Sequence, residues 1–530
     1  MKALLSVYDK NGIVDFAKEL VGLGWEILAS GGTAKALTDA GIPVTDVASL
    51  VGGGAILGHR VVTLSREIHA GLLATDSPAD VAELAKLNIP RIDLVCVDLY
   101  PLKEEIAKPG STRESVIEKT DIGGPTMIRS ASKGRRIVIC DPKDRMKVVE
   151  WLKAGKPDEH NFINSLCAKS EAVVADYCLT SARYHSQGTL DGQVGWQTMS
   201  CLYGENGWQT PAALYATMDA DPLAVSNFQL VSGTPPSYNN LCDVERLLQT
   251  STHIAAAFDT NYGKTPLIAV GVKHGNPCGA AIGTDANTVL QNMLEGDLRA
   301  IFGGVVMTNF PIDEALAETL LTHKMETGRR LLDGIIAPSF TTGAIETLKR
   351  KGDKCRFLAN PSLASLNKNS LDTSTRLRHV RGGFVKQPNY TFILDMKSSD
   401  MVKISVTPAQ EQDMLLAWAI GSTSNSNTVT IVKDGMLKGN GVGQQDRVGC
   451  CELALKRAKD AGHDIKGGVA YSDSFFPFTD GPMVLINAGI SGILATSGSV
   501  RDDEVKKVCA DNNVALALIP DRLARGFFGH

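Results

Sequence analysis

The sequence predicts an α/β protein of at least two domains, and three observations predict it. The chain has 530 residues, which at roughly 100 to 200 residues per domain corresponds to two or three full-sized cores. Short apolar runs alternate with stretches of helical period up to about residue 185, the rhythm of a parallel sheet flanked by helices. Glycine is abundant, at 51 residues against a usual share of about 7%. Several of these glycines stand where a strand run gives way to a helical one, the position of tight or phosphate-cradling turns, although plain loop content would account for them as well.

Ala3 to Val7 reads as a short buried strand, and Ile13, Phe16, Ala17, Leu20 and Leu23 then repeat at helical spacing until Gly24. Glu26 to Ala29 is a second strand; Ser30-Gly31-Gly32-Thr33 leads from it into a helix over Ala34 to Ala40, closed by Gly41. Leu94 to Val97 and Ile137 to Cys140 continue the strand series. The stretch from Tyr184 to Thr198 is polar, glycine-rich and without period, and it reads as a linker. This places the domains at residues 1–195 and 196–530. Within the second, Gly303-Gly304-Val305-Val306-Met307-Thr308-Asn309 and Gly467-Gly468-Val469-Ala470-Tyr471-Ser472-Asp473 share one seven-position pattern. Either an α/β lobe is duplicated or the match is chance.

Composition excludes several function classes. Lys plus Arg is 54 and Asp plus Glu is 58, a formal charge of −4 on a chain only 21% charged. That balance gives no electrostatic reason to expect nucleic acid or an anionic membrane as partner. The apolar stretch Met483 to Ala495 is broken by Asn487, Gly489, Ser491 and Gly492, so it is not expected to span a bilayer. One lysine and the short run Ala3 to Val7 precede Asp9 and Lys10, unlike a secretory signal, and the expected location is cytoplasmic. Eleven cysteines then read as free thiols. Cys450-Cys451 lacks C-x-x-C spacing, and no zinc site is expected.

Two glycine turns carry the chemistry of the first domain. Ser30-Gly31-Gly32-Thr33 joins strand to helix, so its backbone N–H groups and hydroxyls suit a phosphate at the helix's positive end; a plain turn with an N-cap fits equally well. Asp121-Ile122-Gly123-Gly124-Pro125-Thr126 has turn residues before a second helix that carries Arg129 and Lys133. Two such loops in one parallel-sheet domain favour a phosphorylated ligand at the strand ends. Arg60, Thr63 and His69 lie between them in sequence, and Tyr100 follows the Leu94 to Val97 strand. Taken singly, each is an ordinary surface or packing residue.

Together these segments, S-V-Y-D-K-N-G, A-S-G-G-T, R-V-V-T-L, I-H-A-G, D-L-Y-P and D-I-G-G-P-T, resemble in order the cyclohydrolase domain of the bifunctional purine-biosynthesis family that ends the de novo route to inosine monophosphate (IMP). The resemblance continues through Y-G-E-N, S-Y-N-N-L-C-D at 237–243, V-K-H-G-N-P-C-G at 272–279, G-V-G-Q-Q-D-R at 441–447 and S-D-S-F-F-P-F-T-D at 472–480, and so covers nearly the whole chain. It implies a methylglyoxal-synthase-like parallel-sheet domain followed by a formyltransferase region of two similar cytidine-deaminase-like lobes. It implies two reactions: formyl transfer from 10-formyltetrahydrofolate to the 5-amino group of aminoimidazole carboxamide ribonucleotide (AICAR), giving the formylated product (FAICAR), then dehydrative closure of FAICAR to IMP. It also implies a homodimer with formyltransferase sites shared between subunits, folate as cosubstrate and no catalytic metal.

The acceptor amine is a poor nucleophile because its lone pair is delocalised into the ring, so a base must take its proton and a donor must meet the oxyanion. By resemblance His274 handles that proton, Lys273 stabilises the charge, and Asn427 lies on the formyl side; without the family, a Lys-His pair is more often surface decoration. Resemblance also assigns Tyr203, Asn240, Arg447 and Arg525 to the nucleotide, and Phe475, Asp480 and Phe527 to the folate. In the first domain it makes Tyr100, Asp121 and Lys133 catalytic, with Ser6, Lys10, Ser30, Gly31, Gly32, Thr33, Arg60, Thr63 and Gly123 holding substrate.

The sequence also departs from the family's pattern. A lysine beside the reacting oxygen is Val62, a small serine is Tyr8, and an asparagine before L-Y-P is Asp98. In the second domain a phosphate arginine is Leu202, the histidine of P-H-Q is Trp208, Asp446 replaces a serine, and Thr423 replaces a lysine. Formyl transfer is therefore better preserved than cyclisation or phosphate binding. Three readings follow: the bifunctional enzyme, a formyltransferase whose first domain only binds product, and a non-catalytic nucleotide sensor.

Overall fold

Ala3-Leu4-Leu5 has no polar face, and in the computed structural model the strand it belongs to lies at the centre of a sheet covered on both sides. The structure describes residues 1–58, 60–217 and 221–529, which form two units, Met1–Trp196 and Gln197–His530. In the first unit β1 (Lys2–Ser6), β2 (Glu26–Ala29), β3 (Val44–Asp46), β4 (Leu94–Val97) and β5 (Ile137–Ile139) run parallel in the order β3-β2-β1-β4-β5. Successive side chains alternate between faces. Ala3 and Leu5 join Ile13, Phe16, Ala17 and Leu20 of helix Ile13–Gly22 on one side. Leu4 joins Ile68, Met127 and Ile128 on the other.

Strand order grows from β1 toward β3 and then resumes on the opposite side with β4. The crevice between the carboxyl ends of β1 and β4 is thus the topological switch point, where α/β sheets bind ligands. The expected linker from Tyr184 to Thr198 is shorter at both ends, because helix Glu159–His185 runs through Tyr184 and strand Trp196–Cys201 begins inside the stretch. Arg183 at the helix end holds Asp191 and the carbonyl of Gly192, which orders part of the intervening segment.

The second unit is built on a twelve-stranded mixed sheet of two equivalent halves. From the centre outward the first half runs Asn276–Gly283, Leu267–Lys273, Val305–Thr308, Gly334–Ala337, Arg356–Ala359 and Gln229–Ser232. The second runs Met436–Gly441, Val429–Lys433, Val469–Ser472, Gly492–Ser497, Ala515–Pro520 and Val402–Ile404. Successive pairings are antiparallel, antiparallel, parallel, parallel and antiparallel in both. The halves join through Ala281 and Met436. The repeated sequence pattern falls on equivalent strands, Val305–Thr308 and Val469–Ser472, so the lobe is duplicated. Helices Tyr238–Tyr262 and Pro408–Gly421 contribute Val244, Leu247, Ile254, Met414, Leu415 and Trp418 to one core shared by the two halves. Among the described residues no helix is long and apolar enough to cross a membrane.

Candidate functional site

In the first unit the candidate site forms at the carboxyl ends of β1, β2 and β4. Ser30 precedes helix Gly31–Asp39 but does not cap it; its hydroxyl pairs with that of Ser6 at 2.9 Å. Thr33 Oγ1 accepts from the Val7 N–H at 3.1 Å and donates to the Val7 carbonyl at 3.2 Å. The hydroxyls therefore knit β1 to the loop and leave the helix N-terminus without a side-chain cap. Gly31 has φ +48°, a conformation that glycine adopts without cost. The Lys10 ammonium, bound to the Val7 and Tyr8 carbonyls, lies against Gly32. Burial lowers its pKa, and the carboxylates of Asp98 and Asp9 oppose that shift. Uncapped N–H groups beside an ammonium are suited to a phosphate.

Tyr100, Asp121, Gly123 and Thr63 come together beyond β4. Asp121 Oδ1 accepts from the Gly124 N–H at 2.9 Å, and its own N–H donates to Tyr177 Oη at 2.7 Å. A Cβ on Gly124 would lie 2.3 Å from Asp121 Oδ2, so a larger residue there would displace that carboxylate. Buried Thr63 lies with Oγ1 2.9 Å from where a Gly123 Cβ would stand. Burial pushes the Asp121 carboxyl upward, with the N–H of Gly124 the largest opposing influence; the Tyr100 hydroxyl is raised by burial and then by Asp121.

Two predicted members stand apart. Lys133 is exposed at the far end of helix Gly123–Lys133, about 15 Å along the axis from the Asp121 end at 1.5 Å per residue, so it does not share the Tyr100 cluster. Arg60 is held in an exposed ion pair with Glu118 at 2.7 Å. The substituted positions have definite roles. Val62 packs against the apolar cluster beneath the sheet. Asp98 accepts from the backbone N–H groups of Tyr8 and, at 3.2 Å, of Asp9, and burial raises its pKa.

In the second unit the loop between Leu267–Lys273 and Asn276–Gly283 has two residues, His274 at φ +52° and Gly275 at φ +72°. Positive φ at both is the type I′ hairpin turn. Lys273 and His274 line a cavity of about 230 Å³ together with Asn276, Cys278, Asp297 and Asn440. Lys273 Nζ donates to the Phe302 carbonyl at 2.6 Å. Behind the turn, Asp243 Oδ1 accepts from Gly275 N–H at 2.8 Å; burial raises this carboxyl, while His274 and Arg246 act against the shift.

The opposite hairpin's loops adjoin this turn, since Asn425 N–H donates to Asn276 Oδ1 at 3.2 Å. Asn427 Nδ2 donates to Gln444 O at 2.9 Å, and its Oδ1 accepts from Arg447 at 2.9 Å. Sequence assigned Arg447 to the nucleotide, but the structure binds its guanidinium to Asp473, Thr428 O and Asn427. Asp473 is fully buried, and a buried carboxylate needs a partner. Asn240, also expected on the nucleotide, closes a capping box, its Oδ1 accepting from Ser237 N–H and O–H at 3.0 Å. Tyr203 lies beside that helix start, its carbonyl accepting from Tyr238 N–H at 2.9 Å.

Arg525 stands 5.7 Å from the Phe475 ring and pairs with Asp521 at 2.8 Å. Asp480 is exposed at the start of helix Asp480–Asn487, bonded to Gly481 N–H at 2.8 Å. Phe527, two residues beyond Arg525, is partly exposed. Sequence reasoning missed Asp243, Asp473, Gln444 and Tyr177. Asp243, Gln444 and Asp473 stand inside quoted motifs, whereas Tyr177 acts through its hydroxyl on the backbone of Lys119 and Asp121, a contact that no local pattern signals.

A doubly covered parallel sheet with glycine turns at its strand ends, followed by a duplicated mixed-sheet unit with a Lys-His hairpin, defines a two-unit α/β architecture. Residues 133–457, more than half of the chain, match the family described as AICARFT/IMPCHase bienzyme, and residues 12–126 match the MGS-like domain. The chain belongs to the AICARFT/IMPCHase bienzyme family, a family of purine biosynthesis. A solved structure titled "Crystal structure of ForH" is 36% identical over 36% of this chain and 98% of that one, with a TM-score of 0.33.

Proposed function

We propose that the chain catalyses both formyl transfer from 10-formyltetrahydrofolate to AICAR, in the second unit, and closure of the resulting FAICAR to IMP, in the first. The observation that carries this reading is the Lys273-His274 turn lining a cavity with Asn276, Asp297 and Asn440 beside the Asn425 to Asn427 loop. His274 takes the amine proton as the nitrogen attacks the formyl carbon, and Lys273 meets the oxyanion. Asp243 fastens the turn that presents His274 through the Gly275 N–H. Asn427, fixed by Arg447 and Gln444, positions the formyl side. Phe475, Asp480, Phe527 and Arg525 form the folate and nucleotide rim, and a homodimer with shared formyl-transfer sites belongs to the same reading.

Closure needs less from the protein, because nucleophile and electrophile are on one molecule and the first unit mainly selects a rotamer. A formyltransferase with a product-binding first unit is the second reading, favoured by the apolar packing of Val62. Purified protein given AICAR and 10-formyltetrahydrofolate, with FAICAR and IMP measured by mass against an enzyme-free control, separates the two. IMP above the control is expected; accumulation of FAICAR alone would establish the second reading, and no product would refute both.

A further inference from the structure

Closure forms the bond between the carboxamide nitrogen and the formyl carbon. The carbonyl π pair moves onto oxygen, and one carboxamide proton leaves and is returned to that oxygen. The carbinolamine then loses its hydroxyl with the formamido nitrogen's proton as water, which creates the ring double bond. The passing negative charge on oxygen calls for a cation at the Tyr100 and Asp121 cluster.

Several basic side chains that the first unit's motifs bring forward are engaged elsewhere. The Lys10 ammonium is held by two carbonyls at the phosphate loop, and Arg60 is paired with Glu118. Arg66 is paired with Glu67, and Arg145 is buried between Asn11 O and Asp98. Lys133 lies at the far helix end, and Val62 offers no donor. Lys119 remains. It is half-buried two residues before Asp121, its Nζ 4.9 Å from the Tyr8 ring centroid and 5.8 Å from that of Tyr100. Its Nζ donates to Tyr8 Oη at 3.3 Å. The two rings are 5.4 Å apart and tilted at 57°, so they form a bracket under the ammonium. Its backbone is fixed as well: Tyr177 Oη donates to Lys119 O at 3.1 Å and accepts from Asp121 N–H. One hydroxyl thus ties the lysine and the catalytic carboxylate to the same point.

We infer that Lys119, seated on Tyr8 and Tyr100, supplies the cation that meets the formyl oxygen during ring closure, with Tyr8 as its positioning residue. The inference rests on the first unit's being a cyclohydrolase. The test supplies chemically prepared FAICAR directly, so that formyl transfer is not required, and follows IMP formation. Lys119→Met is expected to lower kcat about 100-fold, the size of loss of one oxyanion donor, with KM changing far less, and Lys119→Arg to retain most of the rate. Val62→Lys in the Lys119→Met background is expected to restore at least tenfold of that loss, which a merely structural role for Lys119 would not allow. Tyr8→Phe, which keeps the ring and removes the hydroxyl, tests the seat with little risk to folding and is expected to give an intermediate loss. Wild-type protein that closes FAICAR while Lys119→Met closes it within twofold would overturn the assignment alone. Wild-type protein no faster than the enzyme-free control would overturn the cyclohydrolase reading and this inference with it.

Discussion

The two halves of the second unit use one backbone device at their central hairpins and give it different work. Lys273-His274-Gly275-Asn276 and Lys433-Asp434-Gly435-Met436 both turn through two residues of positive φ. Each turn is fastened to the long helix behind it, Gly275 N–H to Asp243 at 2.8 Å and Gly435 N–H to Asp413 at 2.7 Å. The first turn lines the cavity, to which the second half contributes Leu437, Gly439, Asn440, Val442 and Arg457 but not Asp434. The next equivalent pair diverges the other way. Asn309 and Asp473 occupy the same place, each bonded to the first residues of a hairpin strand, Asn309 to Ile268 N–H at 2.7 Å and Asp473 to Thr428 N–H at 3.1 Å. The neutral amide needs nothing more, while the buried carboxylate draws in Arg447, which in turn holds Asn427. Duplication thus supplies a scaffold twice, and single polar substitutions divide it into a corner that lines the cavity and a clamp that holds Asn427.

The largest effect expected from this division is on catalysis. His274→Ala should lower the formyl-transfer rate about 100- to 10,000-fold, the range of a lost general base, whereas Asp434→Ala at the matching corner should leave it within twofold. Steady-state rates of both variants with AICAR and 10-formyltetrahydrofolate check the contrast; equal losses would show that the turns matter only for folding. Next in size, Asp473→Ala should destabilise the second unit by about 3–5 kcal/mol because it strands the Arg447 guanidinium, and adding Arg447→Leu should recover part of that cost. Urea unfolding of the single and double variants measures it, and additive losses would contradict a coupled pair.

The smallest effect concerns the carboxylates behind the turns. Both Asp243 and Asp413 have pKa values raised by burial, so each disfavours the folded state where it is ionised. Its contribution is present below the unfolded pKa and lost as pH rises through the folded one. Asp243→Asn keeps an acceptor for Gly275 N–H and should match or exceed wild-type Tm at neutral pH, with the difference closing on acidification. Asp413 accepts from both Gly435 and Asp434 N–H groups, so Asp413→Asn leaves one donor unmatched and should cost about 1–3 kcal/mol at neutral pH. Thermal unfolding between pH 4 and 7 distinguishes the pair, and identical behaviour would remove the asymmetry.

Much of the fold was legible because it is local. The strands at Glu26–Ala29 and Leu94–Val97 lie where the apolar runs place them, since a doubly covered strand admits no polar face. The Gly303 and Gly467 segments announced the duplication through strands that proved equivalent. The candidate sites were legible only as positions in motifs. Lys133 has a suitable type and stands twelve residues beyond Asp121, yet the helix between them puts the two at opposite ends. Asn240 reads as a ligand but caps its own helix, because a polar residue three positions after a serine serves the nearest unpaired donor.

The sequence by itself determined the α/β class, the glycine turns and the buried strands, because these follow from side-chain period and backbone freedom within a few residues. Only the tertiary structure decided which charges meet. Arg447 and Asp473 are 26 positions apart, Tyr8 and Lys119 are 111 apart, and Asp98 reaches the N–H of a residue 90 positions earlier. Such pairings depend on how strands and helices stack, and a buried or bracketed charge takes whichever partner that stacking brings within hydrogen-bond reach.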